Sequence, residues 1–254
     1  MNTESTDAEY EILDDELPTD KKVSKRKADL SKVTSGLEES AVKDNAKDLA
    51  IFKAMDKDGN GVLDEEETAK FKAQFDKNAN GVGSRKEARK FIKENDLKDQ
   101  DIKKKDVIKF LQNVEKNNEN VQGTKLNDDG TVSITYKNGL KKVVNPDRSY
   151  QNVVTVNAGK ENETEITKAY DKKDVLLKEK QSSKKADIET TYEKGEVPTK
   201  TTINDKEEDS LTEINYNNGK PSTKKVTQGS TESNYEYVSD GSERLTKKNW
   251  KQRR

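Results

Sequence analysis

Asp56 to Glu67 reads DKDGNGVLDEEE, and this stretch decides how the first half of the chain is built. Asp56, Asp58 and Asn60 stand at alternate positions, Gly61 follows at the sixth place and Glu67 closes at the twelfth. Alternate spacing lets three oxygen-bearing side chains converge while the backbone winds around one centre. The sixth place needs a sharp turn, which glycine permits because positive φ is open to it. Val62 at the seventh place offers its carbonyl, Asp64 at the ninth acts through a water, and Glu67 can give both oxygens. A shell of about 6–8 oxygens is what calcium takes.

The stretch resembles the loop of the EF-hand superfamily, including an apolar residue, Leu63, at the eighth place. The resemblance implies a helix on each side. Val42, Ala46, Leu49, Phe52 and Met55 recur at intervals of three or four from Ser40 onward, which predicts the entering helix. Glu65 to Phe75 predicts the exiting one, with Ala69, Phe71 and Phe75 turned toward the first.

A second loop of this kind starts at Asp76, DKNANGVGSRKE. Asp76, Asn78, Asn80, Ser84 and Glu87 fill ligand places, Val82 offers its carbonyl, and Gly83 replaces the apolar eighth residue. Fewer carboxylates predict weaker calcium binding. Ser84 and Glu87 also read as S-x-x-E, a capping box opening a helix that carries Ala88, Phe91 and Ile92. A third stretch, Asn95 to Asp106, keeps Ile102 at the eighth place but loses most ligands, and Val107, Ile108, Phe110 and Leu111 follow on a helix.

Loop starts at 56, 76 and 95 are about 20 residues apart. A connecting helix of about 11 residues is roughly 16 Å long and would set loops one and two at opposite ends. Loops one and three are then expected to pair through Leu63 and Ile102, leaving loop two without a partner and so free to carry Gly83.

Composition limits the rest. Of 254 residues, 28% are apolar and 39% charged, which excludes one large core. Basic and acidic residues number 49 and 50, so the net charge of −1 gives no reason to expect nucleic-acid binding. Cysteine and histidine are absent, which removes disulfides, thiolate sites and imidazole chemistry. No phosphate loop or nucleophile motif stands out among so many carboxylates, and the chain is expected not to be an enzyme.

Residues 1–39 read as a charged, disordered tail, with eight acids and no base in the first 20 and a basic run, KKVSKRK, from Lys21 to Lys27. The N-terminus does not read as a Sec signal and no stretch reads as a membrane span, so the default expectation is cytoplasmic, with export without a cleaved signal as the alternative. The helical unit is expected over 40–112, a linker over 113–123 and a β region over 124–254.

The β texture begins with TVSITYK, Thr131 to Lys137, where Val132, Ile134 and Tyr136 alternate with polar residues. Asn138-Gly139 follows as a hairpin signal. Turn-like residues recur near 130, 139, 147, 159, 171, 183, 195, 205, 219, 229 and 241. ETTYEKG, EINYNNG and NYEYVSDG repeat the theme, which loosely resembles the bacterial YD or MORN-like hairpin families. One to three apolar residues per strand predict a largely single-layer antiparallel meander. Its tyrosines and long Lys and Glu stems should cover one another. The C-terminal Trp250 stands among basic residues and reads as a cap on the last sheet edge.

The expected fold class is therefore α+β, an EF-hand-like module joined to a repetitive sheet. The expected function is calcium binding that stabilises the module while the sheet serves a structural or adhesive role toward a protein partner. The alternative is a calcium sensor or buffer that opens a groove lined by Phe52, Met55, Phe71, Phe75 and Phe91.

Overall fold

A computed structural model of the chain describes residues 27–238 and 241–250, together with every side chain in that range except that of Trp250. Helices occupy the first half and strands the second, a mixed α+β arrangement. Residues 1–26, 239–240 and 251–254 lie outside the described residues, and with them most of the expected tail and of its basic run; the reading of Trp250 as an edge cap falls on a side chain that lies outside them too.

The helices start where local chemistry allows. α1 (Ala46–Met55) begins after Asn45, whose side chain accepts from Lys47 N and Asp48 N. α2 (Glu65–Phe75) and α3 (Arg85–Glu94) each open on a full capping box, Asp64 with Glu67 and Ser84 with Glu87. α4 (Lys104–Asn117) is the longest, and its Val107, Ile108, Phe110, Leu111 and Val114 are buried. Phe71, Phe75 and Phe91 meet with ring centroids 5.0–5.9 Å apart, and the Phe71–Phe91 pair stands edge to face at 89°. Such contacts add about 0.5–1.5 kcal/mol each beyond simple burial. Two expected core positions fall elsewhere: Ala46 and Ala69 are exposed, and Ile51 is fully buried. α1 also begins later than expected, with Val42 buried ahead of it.

The stretch expected to be the end of a tail belongs to this core. Ala28, Leu30, Val33 and Leu37 are all at most 2% exposed and pack with the helices. Ala28–Asp29 forms β1, which pairs antiparallel with β2 (Val82–Gly83) in the second loop. Loop two therefore has a partner, and Gly83 answers to it. A Cβ there would lie 3.1 Å from Phe75 Cε1 and 3.3 Å from Leu30 Cδ2. Crowding, not solitude, requires the glycine.

Loops one and three do not pair either. Leu63 N donates to Leu37 O, and Gly36 N donates to Leu63 O, so both backbone groups of Leu63 serve the N-terminal segment. Glu38 and Val62 form an isolated antiparallel bridge. A separate segment, rather than another loop, supplies the strand edge that loops one and two need.

The expected linker is mostly regular structure, because α4 runs to Asn117 and β3 starts at Val121. Twelve strands then follow in strict sequence order as one antiparallel sheet. They are β3 (Val121–Leu126), β4 (Val132–Tyr136), β5 (Lys141–Val144), β6 (Tyr150–Val156), β7 (Thr164–Tyr170) and β8 (Leu176–Ser183). β9 (Ala186–Glu193), β10 (Val197–Asp205), β11 (Ser210–Asn217), β12 (Lys220–Gln228), β13 (Thr231–Tyr237) and β14 (Glu243–Trp250) complete it. Each connection falls at or within a few residues of a turn read from the sequence.

Burial is concentrated at one end of the sheet. Val132, Ile134 and Val144 form a small core with Val62 of loop one. From β6 onward Thr201 is the single buried residue among those described. The faces there are covered by neighbours on the same sheet: Tyr150 stacks on Tyr170 at 4.9 Å, Lys142 sits over Tyr150, and Lys168 pairs with Glu179 across the β7–β8 register. Among the described residues no helix is long and apolar enough to cross a membrane.

Candidate metal centre

Loop one runs from the C-cap of α1, Asp56, to the first turn of α2, Glu67. Gly59 and Gly61 take positive φ of 72° and 86°, the two reversals that curl the loop. Asp56 Oδ2 accepts from Gly61 N at 3.1 Å, Asp58 Oδ1 from Asn60 N at 2.9 Å, and Asn60 Oδ1 from Val62 N at 2.8 Å. From the far side Glu67 Oε1 accepts from Lys57 N at 2.6 Å and from Asp58 N at 3.2 Å. Asp64 accepts from Glu67 N at 2.8 Å and so fixes the helix end that carries Glu67.

The result is a tight cluster of negative charge. Asp56, Asp58 and Glu67 each present a carboxylate oxygen, and these oxygens lie within 4.8 Å of one another. Asp56 and Glu67 are buried, while Asp58 is open to solvent. Asp56 Oδ1 is buried with no hydrogen-bond partner. The nearby lysines face elsewhere, Lys57 to Asn95 and Lys70 to Glu66. Burial pushes the Glu67 carboxyl up to about 7, and burial together with the Asp58 carboxylate pushes Asp56 up to about 6. Both groups therefore hold their negative charge at a cost that a proton or a cation would relieve.

Asn60 is 3% exposed and Asp64 2% exposed, so their side chains sit within the same loop. Val62 N is bound to Asn60, and the Val62 side chain is buried in the sheet end. All six loop-one positions named from the sequence thus belong to one compact turn.

Loop two repeats the backbone pattern with a poorer donor set. Asp76 accepts from Asn80 N at 3.1 Å and from Gly81 N at 2.7 Å, and Asn80 Oδ1 accepts from Val82 N at 2.9 Å. Only Asp76 and Glu87 are carboxylates there, and Asn78 and Asn80 are exposed. Glu87 Oε2 accepts from Ser84 N at 2.8 Å, which completes the capping box. In loop three two of the four acids serve a lysine of α1: Asp101 and Asp106 lie 3.2 and 3.5 Å from Lys47 Nζ.

No family model matches the chain, and no curated protein matches it.

Reading the sequence alone missed the groups behind loop one. Glu39 N donates to Gly61 O at 2.9 Å, and Arg148 Nε donates to Gly59 O at 2.9 Å. Glu38 receives the Tyr136 hydroxyl and the Lys142 ammonium. Burial, with Glu38 beside it, raises the Tyr136 hydroxyl well above the usual range and keeps it a donor. The one available hint was Arg148 itself, a solitary arginine between Arg89 and Arg244 in a lysine-rich chain.

Proposed function

We propose that the chain is a non-enzymatic calcium-binding protein, in which an EF-hand-like helical unit held by the ion anchors a long sheet used for structural or adhesive contact with a protein partner. The observation that carries this reading is the buried, partnerless Asp56 Oδ1 inside a cluster of three carboxylates. Asp56, Asp58, Asn60 and Glu67 would supply side-chain oxygens, Val62 a carbonyl, and Asp64 would act through water. An all-oxygen, carboxylate-rich set suits a hard cation and suits no soft metal. Bound, the ion supplies positive charge where the fold has concentrated negative charge. Loop two, through Asp76, Asn78, Asn80, Val82, Ser84 and Glu87, is the weaker site, since it offers two carboxylates.

A structural role is favoured over sensing because the chain holds two methionines, too few for the adaptable, methionine-rich groove that sensors offer their targets. Calorimetric titration with calcium tests the proposal. Wild type should show a tighter site that the double variant Asp56→Ala with Glu67→Ala abolishes. Undiminished binding in that variant would overturn the assignment. A sharp rise of ANS fluorescence with calcium would move the reading to a sensor.

A further inference from the structure

Loop one is braced from behind by the sheet. The turn between β5 and β6 carries Arg148, whose Nε donates to Gly59 O at 2.9 Å and whose Nη1 lies 2.7 Å from Glu39 Oε2. Glu39 N in turn donates to Gly61 O at 2.9 Å, and Gly61 N donates to Asp56 Oδ2 at 3.1 Å. An unbroken series of contacts thus runs from the sheet turn to a carboxylate of the cluster. A second path is apolar: Val62 is 1% exposed and packs with Val132, Ile134 and Val144. Its bridge partner Glu38 is held by Tyr136 of β4 and Lys142 of β5.

We propose that Arg148 is a positioning residue for the ion in loop one, so that affinity at this loop depends on the docked sheet and the bound ion in turn tightens the docking. This rests on the reading of loop one as a calcium site. Gly59 and Gly61 have positive φ and no side chains to fix them, so their conformation depends on what their carbonyls meet. Arg148 Nε meets the Gly59 carbonyl, and the backbone N–H of Glu39, whose carboxylate Arg148 holds, meets that of Gly61. Without them the loop must order itself as it binds, and that ordering lowers affinity. Linkage makes the effect reciprocal: whatever the sheet adds to ion binding, the ion adds to the β4–β5 junction.

The charge of Arg148 gives the test a clear sign. A cation near the site acting only by repulsion would weaken calcium binding, so its removal would tighten binding. A positioning role predicts the opposite. In calorimetry on the full chain, Arg148→Ala should bind calcium at loop one about fivefold or more weakly. Arg148→Lys, which keeps the charge but not the fork, should recover only part of the loss. Hydrogen exchange gives a second readout. Calcium should slow exchange of the Val132–Val144 amides in wild type and slow it less in Arg148→Ala. Unchanged or tighter binding in Arg148→Ala, with wild type binding normally, would overturn this inference alone. A wild type that binds no calcium would overturn the reading beneath it as well.

Discussion

Glu67 and Asp56 give the protein in chelator a pH-dependent share of its stability. Burial raises both carboxyls, to about 7 and about 6, above the ordinary range near 4 in an unfolded chain. Folding then takes up protons, so the contribution of these groups is fully present below about pH 4 and is lost as pH rises through their folded values. In chelator the melting temperature should fall between about pH 5 and 8, and Glu67→Gln, neutral throughout, should flatten that slope. If loop one takes calcium as proposed, added calcium should reverse the trend, because the ion would compete with the same protons. A chelated wild type whose slope matches that of Glu67→Gln would contradict this. Gly83 is the other informative residue. Gly83→Ala brings a methyl against Phe75 and Leu30 and should cost about 1–2 kcal/mol in denaturant unfolding, despite lying in a surface loop. From the sequence Gly83 looked like a place of freedom. Its real constraint is a ring from α2 and a leucine from a segment more than fifty positions earlier, which no local pattern contains.

Among the elements, the helices were the most legible. Glu65 to Phe75 was bounded correctly because Asp64 and Glu67 form a capping box that local chemistry alone dictates. Removing such a cap is a local loss, so Ser84→Ala should lower stability by about 1 kcal/mol in a urea melt. The segment from Ala28 to Glu39 was misread. Leu30, Val33 and Leu37 follow a helical spacing, yet the chain there makes one 3-10 turn, Leu30–Lys32, and short strand pairings. Its apolar residues are too few to announce an element, and they become core only because four helices leave a groove for them. Gly36 marks where this segment meets the sheet. It has φ of 93°, and a Cβ would lie 2.9 Å from both Val121 and Thr124. Gly36→Ala should therefore cost about 2–4 kcal/mol, combining left-handed strain with overpacking. Thermal unfolding would check it, and a loss below about 1 kcal/mol would show that the junction yields.

Over the whole molecule, packing runs from dense to thin along the chain. The helical unit and the first strands share buried side chains, whereas the strands after β6 hold only their neighbours. Stability there should behave as a sum of nearest-neighbour terms, as in repeat proteins. Ile134→Ala, at a fully buried position, should cost about 2–4 kcal/mol, and Ile214→Ala, half-buried on β11, about 1 kcal/mol or less. Hydrogen exchange should mirror this, with β4 and β5 amides protected well beyond those of β11 to β14. Uniform protection across the sheet would argue for a cooperativity that its burial does not supply.

The sequence by itself determined the elements whose causes are local: the curled acidic loop, the capped helices, and a meander whose turns and strand faces follow from glycine, asparagine and alternation. It also determined that the sheet would be thin, because too few apolar residues exist to cover two faces. Only the tertiary structure decided what pairs with loops one and two, why Gly83 and Gly36 must be glycine, and that Arg148 stands behind loop one. Those contacts join residues that lie tens of positions apart. Each partner is acceptable alone in many environments, so its role exists only once the helices and the first hairpins have brought the two together.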